Sequence, residues 1–286
     1  MQALRHFLLA LQFFTRVPVT GKLAAWVGYS PAMLRASSIY FPLVGSIVGL
    51  FAAFVFVLAA WLLPAGGSAY WVMAAFSTAA SVWLTGGFHE DGLADTADAL
   101  GGYVSADKAL EIMKDSRIGS YGSLALILML ALKIGLLALL AQRFSIALTA
   151  CILLWAHSLS RLGPLLLMHR LRHVGDLGKS KSKPLADAIS LGQLARALIW
   201  PALLTALAIY YIPSGAWLLA LVLMLLGTWR LGVWFVQRIG GFTGDTLGTA
   251  QQVTELLIYL SWAIFPALAA IGYSLWQTAV RLVGAA

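Results

Sequence analysis

Residues 120–140 read SYGSLALILMLALKIGLLALL, with Lys133 as the single charge in 21 positions. At about 1.5 Å of helical rise per residue, such a run is long enough to cross the roughly 30 Å hydrocarbon layer of a bilayer. Lipid offers a backbone no hydrogen-bond partners, so the run must be helical. Working outward, similar runs at 39–63, 69–84, 144–167, 194–212, 215–236 and 253–275 bring the number of expected spans to seven, the second short and the fourth long. Composition agrees: 61% of the 286 residues are hydrophobic and 10% charged, where a soluble domain has roughly half and a quarter. The expected fold class is all-α, a polytopic integral membrane bundle of about seven transmembrane helices.

The apolar stretch at 7–14 carries Gln12 and leads into Thr15-Arg16-Val17-Pro18 without a small-residue cleavage pattern, so it reads as an interfacial amphipathic helix and not a removed signal peptide. Cys151 is the only cysteine and lies inside the fourth run, which excludes an intramolecular disulfide and a thiolate metal site. The net charge of +8 borders hydrophobic runs and builds no soluble basic domain. Anionic lipid headgroups and phosphorylated substrates fit that pattern better than nucleic acid.

With seven spans the connecting segments alternate sides, and lysine and arginine mark the cytoplasmic set. One set holds Arg5, Arg16, Lys22 and Arg35, then Lys108, Lys114 and Arg117, then the basic stretch from Arg170 to Arg196, then Arg230 and Arg238; the other holds little beyond Arg143 and Arg281. The N-terminus is therefore expected in the cytoplasm and the C-terminus outside. All eleven Asp and Glu residues fall in or beside cytoplasmic segments. The lysine and arginine bias does not demand this, and a catalytic face at the inner surface would explain it.

The strongest motif is GGFHEDGLADTADALGG at 86–102, with four carboxylates within nine residues. If 91–100 is helical, Asp91, Asp95 and Asp98 stand at i, i+4 and i+7 on one face. Such carboxylates raise one another's pKa, so they protonate or bind a cation. Hard oxygen ligands suit Mg²⁺ or Mn²⁺ shared with substrate phosphates. As a bland alternative, the motif would be a solvated polar connector.

KDSRIGSYG at 114–122 opens the third run. Lys114 and Arg117 oppose the helix dipole there, and an arginine fork beside glycines suits a phosphate, with Asp115 as a further ligand or orienting partner. The loop RLRHVGDLGKSKSKP at 170–184 looks like a P-loop, but His173 stands where the first glycine would have to be. Lys179, Lys181 and Lys183 read as an electrostatic clamp for a phosphorylated substrate or as lipid-facing charges. Arg161, inside the fourth run, is expected to face the interior and pair with a carboxylate. Asp245, on the turn GGFTGD, is a second carboxylate source, with Glu255 about three helical turns on. Lys133 could snorkel or pair, and His157 reads as a packed core histidine.

These residues resemble the adenosylcobinamide-GDP ribazoletransferase family, also called cobalamin 5′-phosphate synthases. The likeness rests on ALQFFTRVPV at 10–19, YFPLVGSIVG at 40–49, the acidic motif, EIMKDSRIGSYG at 111–122 and GGFTGDTLGTAQQVTE at 240–255. It implies a Mg²⁺-dependent enzyme of the bacterial inner membrane. That enzyme joins adenosylcobinamide-GDP to α-ribazole or its 5′-phosphate and releases GMP at the cytoplasmic face. On that reading 1–286 is one membrane-embedded domain, with an interfacial segment at 1–36, an acidic active-site segment at 85–118 and a basic loop at 169–193.

The metal would sit on Asp91, Asp95 and Asp98, with Asp245 and Glu90 as further candidates, although Glu90 points off the shared face. Asp98, another motif carboxylate or His89 would take the proton of the attacking hydroxyl. Arg117 and Lys114, with Asp115, Arg161, Lys179 and Lys181 in support, would hold the diphosphate and the departing GMP.

Two rival classes exist. CDP-alcohol phosphotransferases share the reaction logic, but they place Ala-Arg after the Asp-Gly and space the later aspartates more widely than Asp91-Gly92-Leu93-Ala94-Asp95. A transporter would gather its charges at the midplane and often repeat its halves, and no internal repeat is visible. A homo-oligomer is left open by the sequence.

Overall fold

The computed structural model describes residues 1–64, 66–175 and 189–284, with side chains as far as Gln277. Three short helices, α1 (Gln2–Phe14), α2 (Gly21–Val27) and α3 (Pro31–Ser37), lead by one 3₁₀ turn into α4 (Phe41–Leu62). There follow α5 (Gly67–Thr85), α6 (Phe88–Gly101), α7 (Ala106–Ile112), α8 (Ser120–Arg143), α9 (Ile146–Leu159) and α10 (Leu162–Arg170). Beyond the basic loop come α11 (Leu191–Tyr211), α12 (Ala216–Ile239) and α13 (Gly244–Gly284). The described residues form no strand, only an isolated bridge between His173 and Phe242. The chain is an all-α polytopic membrane protein.

Six stretches are long and apolar enough to cross a membrane: Pro31–Leu62, Ser120–Arg143, Ile146–Arg170, Leu191–Tyr211, Ala216–Ile239 and Gly244–Gln277. The remaining expected span forms α5, which is helical but falls outside this set because Ser77, Thr78, Ser81 and Thr85 dilute its apolar content. Ser77 turns inward and donates to the Ala52 carbonyl at 2.9 Å, while Trp71, Phe76 and Trp83 stay exposed. That outward apolar face, like the exposed Trp61 of α4 and Ile127, Leu128 and Leu132 of α8, suits lipid.

The fourth expected run is not one continuous helix. Pro164 lacks an N–H and its ring collides with the carbonyl four residues back, which is that of Ser160. The chain breaks there into α9 and α10, and the freed Ser160 carbonyl accepts from Thr254 Oγ1 at 3.1 Å. This broken helix is the centre of the bundle: 83% of its most apolar window is buried, against 22–28% in α8, α11, α12 and α13. The α4 helix approaches it backbone to backbone. A Cβ at Gly45 would collide with the His157 carbonyl, and one at Gly49 would meet Leu154 Cα at 2.9 Å. Four-residue spacing of small residues is what allows such close helix packing in lipid.

Two ends result. At one, Phe144 and Trp217 pack edge-on against Trp262, and Arg143 donates to the Ala263 carbonyl. At the other, α1, α6 and α7 gather with the loop after α10 and the turn between α12 and α13. The Arg16 amide donates to the Leu84 carbonyl at 2.7 Å, and Phe242 exchanges backbone hydrogen bonds with Arg172 and Val174. All of the acidic motif lies at this second end.

Candidate functional site

Consecutive glycines aim the acidic helix. Gly86 and Gly87 have φ of 71° and 72°, a left-handed pair that side chains resist, and they turn the chain from α5 into α6 within two residues. The expected helix at 91–100 lies wholly inside α6. It crosses the start of α13 at closest range where Gly92 faces Asp245 and Gly248. A Cβ at Gly92 would stand 2.8 Å from the Asp245 carbonyl oxygen and 3.0 Å from its Cα. Thr249 Oγ1 tightens the crossing by donating to the Gly92 carbonyl at 3.1 Å.

This contact brings carboxylates from two distant segments together. Asp91 is exposed and Asp95 half-buried. The carboxyl of Asp95 is pushed up to about 7, first by burial and then by Asp245, Asp91 and Asp98 in that order. Carboxylates alone supply the charge acting on it, so the arrangement calls for a proton or a cation. Asp91 and Asp95 open with Thr85, Ser116 and Ile118 onto a cleft of ≈ 1020 Å³, counted out to its mouth. Among the described residues no three His, Cys, Asp or Glu side chains converge closely enough to cage an ion by themselves. Asp91 and Asp95 are hard oxygen donors, and a cation beside them would have to take the rest of its shell from substrate oxygens and water, as Mg²⁺ commonly does.

Asp98 is turned elsewhere. Its carboxylate accepts from the Gly119 amide at 2.7 Å and the Gly122 amide at 2.8 Å, so it caps the N-terminus of α8. A Cβ at Gly119 or Gly122 would collide with it. The three aspartates do share a helix face, but its last member joins α6 to the KDSRIGSYG segment.

In that segment Asp115 and Arg117 bond each other, the guanidinium donating to Asp115 Oδ2 at 2.6 Å. The pairing holds the Asp115 carboxyl down at about 2. Arg117 is exposed, and neither residue lines the cleft, whereas Ser116 and Ile118 between and beyond them do. Lys114 is exposed at the same turn. Lys179 and Lys181 lie outside the described residues.

Glu90 lines the same cleft but makes its hydrogen bond inward. It is buried, its Oε1 accepts from Gln252 Nε2 at 3.0 Å, and burial pushes its carboxyl up. Behind it runs a chain that sequence reasoning did not assemble. Gln252 donates to Gln251 Oε1 at 2.9 Å, and Gln251 donates to Glu255 Oε2 at 2.7 Å. Glu255 Oε1 pairs with Lys133 at 2.6 Å and accepts from Tyr259 at 3.0 Å. Glu255 thus lies deep in the bundle, not beside the surface, and Lys133 pairs instead of snorkelling. Arg161 is buried beside this chain, but among the described residues its hydrogen bond goes to the His157 carbonyl and not to a carboxylate. Polar residues at 251, 252 and 255 inside an otherwise apolar run were the signal that could have shown the network.

His89 is buried and stacked on Phe14 at 16° between ring planes. Its pKa lies well below the ordinary value, first through burial and then through Arg161. The imidazole is therefore neutral, and its burial beside Arg161 opposes taking up a proton.

The match to a family model described as cobalamin-5-phosphate synthase covers residues 6–263. A protein of Polaromonas naphthalenivorans (strain CJ2) named adenosylcobinamide-GDP ribazoletransferase is 52% identical, over 92% of this chain and 99% of its own. Proteins of the same name from Polaromonas sp. (strain JS666 / ATCC BAA-500) and Albidiferax ferrireducens are 49% and 50% identical, each over 92% of this chain and 98% and 99% of theirs. These names are those of neither a transporter nor a CDP-alcohol phosphotransferase. No solved structure matches.

Proposed function

The chain belongs to the cobalamin-5-phosphate synthase family, and from that membership we propose that the cleft onto which Asp91 and Asp95 of α6 open, with Ser116 and Ile118 on its other wall, is where its transfer reaction takes place. The protein is a transferase of cobalamin biosynthesis that joins adenosylcobinamide-GDP and α-ribazole. A ribose hydroxyl forms a bond to phosphorus, the diphosphate bond breaks, and GMP departs with the leaving electron pair. The observation that carries the site is the Gly92 crossing, which puts Asp91 and Asp95 of α6 beside Asp245 of α13.

Asp91 and Asp95, with the Asp245 charge near them, are the residues that would hold Mg²⁺, the rest of its shell coming from substrate and water. Bound there, the ion would supply polarisation of the diphosphate oxygens and offset charge on the departing GMP. The protein's own part is to orient and to handle the proton. Asp98 fixes α6 against α8, and Ser116 and Ile118 form the opposite wall of the cleft. One of the motif carboxylates or His89 would accept the hydroxyl proton. Arg117 and Lys114 sit at the rim, where a nucleotide phosphate would arrive.

The whole chain works as one membrane-embedded unit with its acidic end in the cytoplasm. Arg16, Lys22, Lys108, Lys114, Arg117, Arg172 and Arg238 all lie in segments at that end, and Arg143 lies at the other, which is the positive-inside pattern of an inner-membrane protein.

Purified protein in detergent, given adenosylcobinamide-GDP and α-ribazole, is expected to release GMP with Mg²⁺ and to stop when the ion is chelated. GMP release that persists undiminished after chelation would remove the metal from the proposal. The crossing has its own test. Gly92→Ala would press a methyl group on the Asp245 backbone, which cannot rotate aside, and displace α6 by a fraction of an ångström. A misplacement near 1 Å can cost about 10²-fold in rate, so a drop of about that size is expected with the chain still inserted, and an unchanged rate would refute the close contact.

A further inference from the structure

Across Phe88 from the carboxylate cleft lies a second, largely aromatic cavity. Phe13 and Phe14 of α1, Phe41 of α4, Phe88 of α6 and Phe242 before α13 line it, and with the open space at its mouth it measures ≈ 630 Å³. The rings brace one another edge to face: Phe14 stands 4.2 Å from Phe41 at 75° and 5.7 Å from Phe88 at 83°. Its polar lining is confined to His89 and Arg161. Arg161 is 4% exposed, and among the described residues its one hydrogen bond is to the His157 carbonyl, so a buried guanidinium with spare donors forms part of an aromatic wall.

We propose that this cavity receives the planar base of the nucleophilic substrate, the benzimidazole ring of α-ribazole, with Arg161 donating to its one free ring nitrogen. The inference rests on the transferase reading of the neighbouring cleft.

The chemistry of the wall selects among the parts of the two substrates. Guanine carries several donors and acceptors around its edge, and burying them against phenylalanine would leave most of them unpaired. Arginine donates only, so it can do nothing for the donors of guanine. A corrin macrocycle is far broader than the enclosed space. Benzimidazole, linked to ribose through one nitrogen, presents a single acceptor and two apolar faces. It stacks on aromatic rings, and a guanidinium over its face gains cation–π attraction. An acyl chain would also be apolar enough for the wall but would offer nothing to the remaining donors of Arg161.

Position agrees with chemistry. Gly244 and Gly248 line the cavity on either side of Asp245, which belongs to the carboxylate cluster. Phe88 lines both the cavity and the cleft. A base held among the phenylalanines therefore leaves its ribose at the junction where the diphosphate must lie.

The test measures equilibrium binding of α-ribazole alone to the full-length protein in detergent, and in parallel KM for each substrate. Phe14→Leu, Phe41→Leu and Phe13→Leu are made singly, so that poor folding of one leaves the others to decide. Each removes a ring while keeping apolar bulk. Weaker α-ribazole binding by about tenfold, with KM for adenosylcobinamide-GDP within about twofold of the parent, is expected. Equal rises for both substrates, or unmoved α-ribazole binding in every well-folded variant, would overturn the assignment. So would a copurifying lipid that α-ribazole fails to displace. Because binding is read without turnover, a protein that took α-ribazole through these rings but released no GMP would overturn the transferase reading and spare this one.

Discussion

Asp91→Asn is expected to lower GMP release by about three orders of magnitude while the protein still inserts and folds. The side chain is exposed, so a nearly isosteric change removes no packing. What it removes is one negative charge and a hard oxygen from a cluster whose other members are Asp95 and Asp245. A metal acting as Lewis acid is worth several kcal/mol of transition-state charge stabilisation, and each 1.36 kcal/mol is tenfold in rate. Initial rates in membranes across a Mg²⁺ titration check this. Near-parent rates at saturating Mg²⁺ would sink the assignment of Asp91 to the metal.

The second large effect is on stability. Lys133 and Glu255 are 4% and 2% exposed and 2.6 Å apart, within a helical bundle that faces lipid. Removing one partner of such a pair leaves the other charge buried, at a cost of roughly 3–5 kcal/mol. Native proteins hold only about 5–15 kcal/mol in total. Glu255→Gln is therefore expected to lower the thermal midpoint in detergent by many degrees and to cut yield sharply. The double variant Lys133→Met with Glu255→Gln, in which neither charge is left, should recover most of the loss. A single variant as stable as the parent would show that the pair carries little of the bundle's stability.

Much of the helical layout was legible because hydropathy and capping are local. The run at 120–140 became α8 almost to the residue, and the acidic stretch became the α6 helix that its i, i+4, i+7 spacing required. The departures have local causes that were present but unweighed. Pro164 divides the fourth run, and four Ser and Thr residues take α5 below the apolarity of the other spans.

The candidate site was legible by type more than by partner. Asp91, Asp95 and Asp245 were each singled out, and the structure brings them into one electrostatic cluster. Asp98 was grouped with them, yet its carboxylate is occupied by two amides of α8. Glu90 was assigned to metal, yet it bonds Gln252 inside the bundle. Arg161 was expected to face the interior and pair with a carboxylate; it lies buried among Glu90 and Glu255 but bonds the His157 carbonyl, and it also lines the aromatic cavity. The basic residues Lys179 and Lys181 fall outside the described segment.

By itself the sequence determined that this is a helical membrane protein with a concentrated acidic segment, because transfer of each side chain into lipid depends on that side chain and its near neighbours. Which carboxylates share a cleft, which are used in capping, and which charges meet inside the bundle depend on residues more than a hundred positions apart, such as Gly92 with Asp245 and Lys133 with Glu255. Those pairings follow from how closely glycine-bearing helices can approach. Only the packed structure decides that, because van der Waals contact between helices has no signature within a single one of them.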